Sequence, residues 1–432
     1  MEREAAIESC DVAVIGGGPA GSTAAALLAR RGYKVIALEK ERHPRFHIGE
    51  SLLPMNLPVL ERLGVLDKVH AMGVFKAGAD FEADNERGYN VFSFGRALGE
   101  SPPHSYQVWR QDFDKMLYDH ARECGADARE GQQVVAVEQI GPRQARLEVK
   151  TDEGEPYTIE ARYLIDASGR DAFLSTKKKL KRKNRQHQSA ALFTRFGNAA
   201  RRPGEDAGNV SIYRFEHGWM WMIPLPDGSM SVGAVCWPEY LKRRRGDTRE
   251  FLLDTLRQNT RLWERLDGAE PVDEVRATGN YSYDSREMAG PGWMLVGDAF
   301  AFLDPVFSSG VFLAMDAAER AVEVVDGALR DPSREAALQR ALEKRLRKGM
   351  ARFAFFIYRF NEPVMRRMFA SPRNTWQLEQ GVISMLAGDL FDPRPVLLRL
   401  RVFKIVYGMS VLANLRQWWA GRRYRLAQAR AE

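Results

Sequence analysis

Two short apolar runs near the start of the chain flank a glycine-rich turn and an alanine-rich segment. Residues 10–15 and 34–39 are rich in β-branched side chains, whereas residues 22–31 have the composition of a helix. Short apolar runs bounded by turn residues are typical of buried strands. The order of these segments predicts a strand–turn–helix–strand unit, which is the start of a parallel sheet covered by helices.

Alternation with a period of two marks the middle of the chain and predicts four strands of an antiparallel sheet. These strands are expected at residues 189–195, 209–215, 218–224 and 229–237. After about residue 333 the chain is predicted to be helical, rich in aromatic residues and divided into several helices by proline. The dividing prolines are Pro363, Pro372, Pro393 and Pro395.

Two further apolar segments, residues 163–167 and 293–296, predict strands that end at acidic turns, and a helix is expected from about Phe312 to Leu329. The fold class is therefore α/β. We expect a discontinuous Rossmann-like dinucleotide-binding domain, an inserted antiparallel β-sheet lobe for the substrate and a C-terminal helical cap. The expected boundaries are 8–80, 105–175 and 280–330 for the first domain, 81–104 and 186–279 for the second, and 333–432 for the third.

Length and composition allow a large core and exclude several classes of protein. The chain has 432 residues, of which 45% are hydrophobic, so two or three domains are expected. Its 64 basic and 57 acidic residues are interspersed, and the net charge of +7 does not indicate a nucleic-acid partner. Cys10, Cys124 and Cys236 are widely separated, so neither a disulfide framework nor a metal site is predicted.

The same features predict a cytoplasmic protein. The first residues are charged and lack the apolar segment of a secretion signal, and three separate cysteines suit a reducing compartment. The longest late uncharged run, residues 405–415, is shorter than the roughly 18 residues that span a bilayer. Residues 396–425 mix apolar and cationic side chains, so they either contact a membrane surface peripherally or form a cap over the substrate opening.

The first predicted strand leads into a GxGxxG pattern formed by Gly16, Gly18 and Gly21, with Ala20 inside it. Such glycines let the backbone approach a pyrophosphate, and the helix N-terminus provides free N–H groups and the positive end of its dipole. Glu39 ends the second strand, where a carboxylate would bind a ribose hydroxyl. This combination predicts dinucleotide binding.

A second candidate for cofactor contact lies near residue 300. Asp298 follows a strand and is suited to bind ribityl or ribose hydroxyls of a flavin dinucleotide. Pro305 comes next, and Ser309, Gly310 and Val311 open the predicted helix. Main-chain N–H groups at a helix start favour anions. We therefore expect an anion or a cofactor at this helix start.

Several polar residues earlier in the chain are further candidates, and some of them also have an ordinary structural interpretation. Arg45 begins a segment in which Glu50 and Ser51 lie between apolar flanks, which suits either a loop held against a ligand or a turn with an N-cap serine. Arg110 opens a predicted helix. Lys76 lies in a strand-like segment between glycines, and an isolated lysine is ordinarily a solvated surface residue.

Trp219 and Trp221 occupy alternate positions of a predicted strand that ends at Pro224. Side chains two residues apart in a strand share one face of the sheet. Two indoles on one face form either a layer of the core or the lining of a cavity. These residues alone leave both interpretations open.

The two most basic segments are residues 177–185 and 242–245. Neither has interleaved aromatic residues or a nucleic-acid recognition motif. Solvated loops are expected there, and docking of an acidic protein partner is the alternative.

Together these motifs resemble those of the flavin-dependent halogenases, a branch of the single-component flavoprotein monooxygenase fold. The resemblance covers about the first three quarters of the chain. GxGxxG and the Gly-Asp pair at Asp298 occur in many flavoproteins and indicate only FAD. The specific part is the complete WxWxIP motif from Trp219 to Pro224, together with a lysine at position 76.

The resemblance implies halogenation that depends on FADH2 and O2. FADH2 from a separate flavin reductase reacts with O2 at its C4a position, and a halide held by Ser309 and Gly310, chloride or bromide, attacks the peroxide. Hypohalous acid then moves through a channel to Lys76, which holds it by a hydrogen bond or as a haloamine beside an electron-rich ring. Trp219 and Trp221 separate flavin from substrate and thereby prevent direct hydroxylation.

The resemblance also implies a set of cofactor contacts from four parts of the chain. They are Gly16, Gly18, Ala20, Gly21, Glu39, Arg45, Glu50, Ser51, Arg110, Asp298, Pro305, Ser309, Gly310 and Val311.

One position departs from the tryptophan branch of the family. Tryptophan halogenases carry a glutamate just before the Ser/Thr-Gly segment, whereas Val306 and Phe307 precede Ser308 here. We infer a substrate that activates itself, a phenol or pyrrole that is either free or tethered to a carrier protein. The rival interpretation is a flavin monooxygenase or a geranylgeranyl-reductase-like enzyme that does not halogenate.

Overall fold

The computed structural model describes residues 7–185, 187–279, 282–391 and 394–429. Several sequence-based expectations fall outside these residues. They concern the charged first residues of the chain, the domain boundaries at positions 186 and 280, and the helix break at Pro393.

The described residues form strands and helices throughout the chain. In chain order, the strands are Ile7–Ile15 (β1), Val35–Glu39 (β2), Val74–Lys76 (β3), Gly78–Glu82 (β4), Tyr89–Ser93 (β5), Ser105–Gln107 (β6), Asp127–Glu130 (β7), Gln132–Gly141 (β8), Gln144–Thr151 (β9), Tyr157–Asp166 (β10), Lys181–Lys183 (β11), Ala190–Gly197 (β12), Val210–Phe215 (β13), Gly218–Pro224 (β14), Met230–Cys236 (β15), Glu270–Pro271 (β16), Arg276–Thr278 (β17), Tyr283–Ser285 (β18), Ala289–Gly290 (β19), Trp293–Leu295 (β20) and Ala301–Phe302 (β21). The α-helices are Pro19–Ala29 (α1), Asn56–Leu63 (α2), Leu66–Met72 (α3), Arg110–Glu123 (α4), Phe173–Lys177 (α5), Pro238–Leu241 (α6), Thr248–Arg257 (α7), Thr260–Glu264 (α8), Gly310–Arg330 (α9), Glu335–Ile357 (α10), Pro363–Ala370 (α11), Leu378–Leu386 (α12), Arg394–Ala413 (α13) and Leu415–Ala429 (α14).

The first sheet has β1 at its centre, with the order β19–β20–β10–β1–β2–β7 and with β8 and β9 attached through β10. β1 is parallel to β2 and β10, and β20 is parallel to β10. α1 packs against α4 and α9, so apolar side chains of these strands are buried under helices. The predicted α/β fold, with its strand–turn–helix–strand start, is confirmed.

The second sheet has the order β16–β12–β15–β14–β13–β4–β5, with β17 paired to β12. Its strands β12, β13, β14 and β15 are the four predicted from the alternating pattern. These four strands pair antiparallel, as predicted. β4, which is not one of these four strands, pairs with β13 in parallel. β4 joins this sheet from a distant part of the chain. The domain boundary expected between residues 80 and 81 therefore falls inside β4.

The basic segment at residues 177–185 is expected to be a loop, but part of it forms a strand. Residues 181–183 form β11, which pairs with β18. Arg182 Nη2 lies 2.5 Å from Asp284 Oδ2, and Lys181 Nζ lies 3.9 Å from the centre of the Tyr283 ring. These contacts offset the repulsion between neighbouring cations and allow a strand.

The C-terminal helices pack over the tryptophan face of the second sheet. α13 shares a buried cluster with Trp219 and Trp221. Its buried residues are Val396, Leu400, Phe403 and Tyr407. Its opposite face leaves apolar side chains exposed, namely Leu398, Ile405, Met409 and Leu412. Within the described ranges, no helix is both long enough and apolar enough to span a bilayer.

Candidate active site

A cavity of about 450 Å³ lies where the carboxyl ends of the first sheet meet the tryptophan face of the second. In open parallel sheets, ligands bind outside the carboxyl ends of the strands. The cavity is lined by residues that follow β1, β2, β10 and β20 and by side chains of β13 and β14. Most of the residues predicted to form the site line it. They are Gly16, Gly18, Ala20, Glu39, Arg45, Glu50, Ser51, Arg110, Trp219, Trp221, Asp298, Pro305, Ser309, Gly310 and Val311.

Two predicted residues, Gly21 and Lys76, do not line this cavity. Gly21 packs against the turn that precedes it, because a Cβ atom at this position would lie 1.9 Å from the carbonyl oxygen of Gly16. Lys76 is buried behind Ser51. The first residue shapes the cavity indirectly, and the second lies beyond its wall.

The glycine-rich turn fits the pyrophosphate of a dinucleotide. Gly16 has φ of +103°, which L side chains rarely adopt, and its own Cβ would collide with the carbonyl of Ala167. A Cβ on Gly18, in contrast, would have no neighbour closer than Arg45 Nη2 at 3.6 Å. Gly18 therefore leaves space at the start of α1, where N–H groups favour an anion.

A chain of ion pairs fixes two arginines at the cavity. Glu39 Oε2 accepts hydrogen bonds from Gly17 N at 2.8 Å and from Arg45 Nη2 at 3.3 Å. Arg45 Nη1 also lies 3.3 Å from Asp114 Oδ2. Arg110 donates from Nε and Nη2 to the two oxygens of Asp114, each at 2.9 Å. Although burial opposes ionisation of Asp114, Arg110 and the other nearby cations lower its pKa.

The indole of Trp221 is anchored through Ser231 to Glu50. Trp221 Nε1 donates to Ser231 Oγ at 3.2 Å, and Ser231 Oγ donates to Glu50 Oε1 at 3.1 Å. Burial raises the pKa of Glu50. Its second oxygen accepts a hydrogen bond from Gly49 N at 3.0 Å. The orientation of one tryptophan is thus linked to the loop at residues 49–51.

Lys76 is a buried amine, so the solvated alternative is wrong. The residue is 1% exposed, and Nζ donates to Ser51 Oγ and to the carbonyl oxygen of Leu52, each at 2.8 Å. Nζ also lies 5.3 Å from the centre of the Phe94 ring. Burial lowers the pKa of Lys76 from 10.5 to about 7. About half of these amines are therefore uncharged near neutrality.

Both interpretations of the two tryptophans hold. Trp219 and Trp221 are 5% and 4% exposed and belong to the buried cluster of the second sheet. Their ring centres are 5.8 Å apart, and both rings also line the cavity. We call this pair the tryptophan wall.

The segment before α9 forms the end of the cavity beside the tryptophan wall. Asp304 Oδ1 accepts a hydrogen bond from Val306 N at 3.1 Å and caps a short turn. Ser308 has φ of +54°, which turns the chain into α9, where Ser309 is 3% exposed. A Cβ on Gly310 would meet no atom within 4 Å. Open space therefore lies at the start of this helix.

Two distant residues hold Asp304, and the sequence motifs did not reveal them. His187 Nε2 lies 3.2 Å from Asp304 Oδ2, and Arg425 Nη2 lies 2.6 Å from His187 Nδ1. Arginine can only donate, so we assign Nδ1 as the acceptor and Nε2 as the donor to Asp304. Burial and Arg425 lower the pKa of His187, which favours this neutral form.

Comparison with known proteins agrees with this geometry. A family model described as FAD binding domain matches residues 9–355. A tryptophan 2-halogenase of Chondromyces crocatus is 34% identical over 392 residues, which cover 89% of this chain and 74% of that protein. The chain belongs to the flavin-dependent halogenases. This halogenase therefore uses FAD and a halide.

Other relatives differ in what their names say they act on. A 1H-pyrrole-2-carbonyl peptidyl-carrier-protein chlorinase of Pseudomonas fluorescens is 29% identical over 408 residues, covering 88% of this chain and 90% of that protein. Among solved structures, a myxobacterial chondrochloren halogenase has a TM-score of 0.78 at 29% identity, over 98% of this halogenase and 97% of that chain. A flavoprotein/dehydrogenase of Cytophaga hutchinsonii has a TM-score of 0.85 at 28% identity, over 94% of this halogenase and 100% of that chain.

Proposed function

We propose that this halogenase modifies an electron-rich aromatic ring, a phenol or a pyrrole, through hypohalous acid that is relayed to Lys76. The observation that carries the proposal is the place of the Lys76 amine. It is withdrawn from water, and its hydrogen-bond partner Ser51 lines the cavity. One hydroxyl group thus separates the amine from the cavity.

The residues around the cavity fit a flavin dinucleotide. The start of α1 at Gly18 would hold the pyrophosphate, Glu39 a ribose, and Asp298 the ribityl or ribose hydroxyls. Burial raises the pKa of Asp298 to about 6, so hydroxyl donors would help to keep it ionised. When bound, FAD reduced by a separate flavin reductase would supply two electrons to O2, and the halide would supply the other two, which gives hypohalous acid and water.

The start of α9 is the proposed halide site. Main-chain N–H groups of the first helical turn have no partner within the helix and carry partial positive charge. Ser309 and Gly310 bring such groups to the cavity. The open space at Gly310 suits a small monatomic ion such as a halide. No charged side chain is needed to hold chloride or bromide there.

An uncharged Lys76 amine can act in two ways. It can accept a hydrogen bond from hypohalous acid, or its nitrogen can attack the halogen. In the second case the oxygen–halogen bond breaks, and the departing hydroxide takes the ammonium proton and leaves as water. The π electrons of the substrate ring then attack the halogen, and the nitrogen–halogen bond breaks with its electron pair left on the nitrogen. The nitrogen takes up the proton that the ring carbon loses, which restores the amine. A protonated amine has no lone pair for either route.

The tryptophan wall supports this separation of oxidation and transfer. Trp219 and Trp221 face the cavity, whereas Lys76 does not. We propose that only a small oxidised halogen species passes from one side to the other. The substrate then meets the halogen at Lys76 rather than the oxidant in the cavity.

The side chains near Ser308 support this choice of substrate class. Val306 and Phe307 are 3% exposed each and cannot accept a proton from a ring. A phenol or pyrrole donates electrons from its own heteroatom and does not require such a base. Whether the ring is free or held on a carrier protein is distinguished by assay, and the basic residues 242–245 would suit the acidic surface of a carrier.

The proposal is tested with purified halogenase, a flavin reductase, NADH, FAD, O2 and either bromide or chloride. Phloroglucinol serves as the phenol, and pyrrole-2-carboxylate, free or on a carrier protein, serves as the pyrrole. Halogenated product that requires both halide and Lys76 is expected, and Lys76→Ala should lose it. The matched control is Lys150→Ala, which alters an exposed lysine on β9.

Two results would contradict the proposal. The first is equal product formation by Lys76→Ala and the parent enzyme. The second is oxygenated product that forms without halide, which would instead indicate a flavin monooxygenase.

A further inference from the structure

Arg214 is a buried cation on the tryptophan face of the second sheet. It lies on β13 directly opposite Trp219 of β14, and residues paired in this way project from the same face. The residue is only 7% exposed. A charge in such a place is costly unless a partner of opposite charge or several hydrogen bonds stabilise it.

No described residue satisfies the guanidinium of Arg214. Its Nε and Nη2 atoms are buried and have no hydrogen-bond partner. The carboxylate of Glu82 raises the pKa of Arg214 but is not bonded to the guanidinium. It accepts hydrogen bonds from the main-chain N of Arg214 at 3.2 Å and from Asn259 Nδ2 at 3.0 Å. Burial and the positive charge of Arg366 lower the pKa of Arg214 to about 9. The local field therefore favours an additional anion.

A second buried arginine shows how this chain satisfies such a group when it is structural. Arg265 is 9% exposed, which is nearly the same burial. Its Nε donates to the carbonyl oxygen of Ala200 at 2.9 Å, and its Nη1 donates to Ser211 Oγ at 2.7 Å and to Tyr213 OH at 2.9 Å. Arg214 lacks any comparable set of acceptors.

The surroundings of Arg214 are aromatic. The guanidinium carbon lies 4.2 Å from the centre of the Phe360 ring and 6.0 Å from that of Phe369. Phe369 in turn lies 5.0 Å from Phe81, and Phe360 lies 5.6 Å from Phe307. Arg214 does not line the cavity that Trp219 borders. The aromatic cluster and Arg214 therefore adjoin Trp219 outside that cavity.

The two unpartnered nitrogens are arranged as an arginine needs to bind a carboxylate. Nε–H and Nη2–H lie on the same edge of the guanidinium plane and can bind both oxygens of one carboxylate. The same pair of atoms in Arg110 binds the two oxygens of Asp114 at 2.9 Å each. This chain therefore already uses that edge of an arginine for a carboxylate.

We propose that Arg214 binds a carboxylate carried by the aromatic substrate, whose ring packs among the phenylalanines beside the tryptophan wall. The substrate would then be an aromatic acid rather than a neutral phenol or pyrrole. This inference rests on the proposed function, since it names the class of aromatic substrate that this halogenase would modify. Aromatic side chains accommodate the ring, and Arg214 selects its charged end.

The test compares acids with their amides. Binding of 4-hydroxybenzoate and 4-hydroxybenzamide to the FAD-loaded enzyme is measured by calorimetry, and the pair 3-(4-hydroxyphenyl)propanoate and its amide extends the reach by two carbons. For at least one pair, the parent should bind the acid about 10- to 100-fold more tightly than the amide, as expected for charge-assisted hydrogen bonds. Arg214→Met should bind acid and amide equally.

Further variants separate recognition from folding. Arg214→Lys keeps the charge but loses the paired N–H groups. Its preference for the acid over the amide should therefore be about tenfold smaller than that of the parent. Arg214→Met should melt no lower than the parent, since it removes a buried charge without an acceptor, whereas Arg265→Met should melt lower. Lower melting of Arg214→Met, or a parent that binds neither acid more tightly than its amide, would overturn the proposal. Phloroglucinol halogenation by the parent tests the proposed function separately, because that substrate has no carboxylate.

Discussion

Replacing Lys76 by methionine should abolish halogenation and yet stabilise the folded protein near neutral pH. The side chains have similar length, so methionine fills the same space without a charge. In the proposed relay, activity would be lost because the amine that holds the halogen is removed. The stability changes because the fold keeps the parent lysine away from water, which disfavours its charged form.

The size of the effect follows from the pKa of Lys76. It falls from 10.5 in the unfolded chain to about 7 in the fold. The unfolded chain therefore binds more protons between these values, and the parent gains stability as pH rises through that window. The burial of Lys76 costs about 4 kcal/mol at pH 7, about 2 kcal/mol at pH 9 and almost nothing above the ordinary pKa.

The Lys76→Met variant also lacks the hydrogen bonds that Lys76 makes to Ser51 and Leu52. At about 1 kcal/mol each, these offset part of the gain. The Lys76→Met variant should therefore exceed the parent in free energy of unfolding by about 2 kcal/mol at pH 7 and by about zero at pH 9. Urea unfolding followed by circular dichroism, with saturating FAD at both pH values, measures this difference.

The control is Lys150→Met at an exposed position, which should change stability by less than about 0.5 kcal/mol at either pH. A variant that is destabilised at pH 7, or whose gain is the same at pH 9, would refute the reasoning, because it would mean that the amine stays charged in the fold. Retained halogenation would refute the relay through Lys76 independently of stability.

Three other predictions concern the cavity. Ser231→Ala should release the indole of Trp221, so that less halogenated product and more hydrogen peroxide form per NADH consumed; unchanged coupling would argue against the anchor. Gly21→Ala should lower the melting temperature strongly because its Cβ would lie 1.9 Å from a carbonyl oxygen, whereas Gly18→Ala should fold normally and bind FAD more weakly in a fluorescence titration. Equal melting of these two variants would contradict their different packing. His187→Gln should raise the KM for halide several-fold with little change in FAD affinity, and a loss of FAD affinity alone would assign the histidine to the cofactor instead.

The elements of this halogenase that follow from local patterns could be predicted from the sequence. Alternation identified β12, β13, β14 and β15, and the glycine turn with its flanking strands identified the first βαβ unit. Period and turn chemistry are properties of neighbouring residues, so they can be read without knowledge of the rest of the fold. The same holds for the two indoles of the WxWxIP motif, whose spacing alone places them on one face.

Pairings between distant segments could not be predicted in this way. The parallel partner of β13 is β4, although Ser211 and Asp80 are 131 residues apart. Ser231 reaches Glu50 across 181 residues, and Arg425 reaches His187 across 238. Neither contact leaves a periodic signal, since single polar residues pair through the tertiary fold. The basic residues 181–183 were misread for the same reason, because the acid and the ring that stabilise β11 lie on β18.

The polar groups between the cavity and Lys76 share one electrostatic feature. Burial raises the pKa of the Glu50 carboxyl and lowers that of the Lys76 amine, so both shifts favour uncharged forms. Ser51, which accepts a hydrogen bond from Lys76, and Ser231, which links Glu50 to Trp221, are neutral hydroxyls. A path of this kind gives little attraction to a halide or a hypohalite anion, whereas neutral hypohalous acid can exchange hydrogen bonds with each hydroxyl. In the proposed relay, the same burial that makes Lys76 costly to the fold would therefore select the neutral oxidised halogen over the halide that remains at α9.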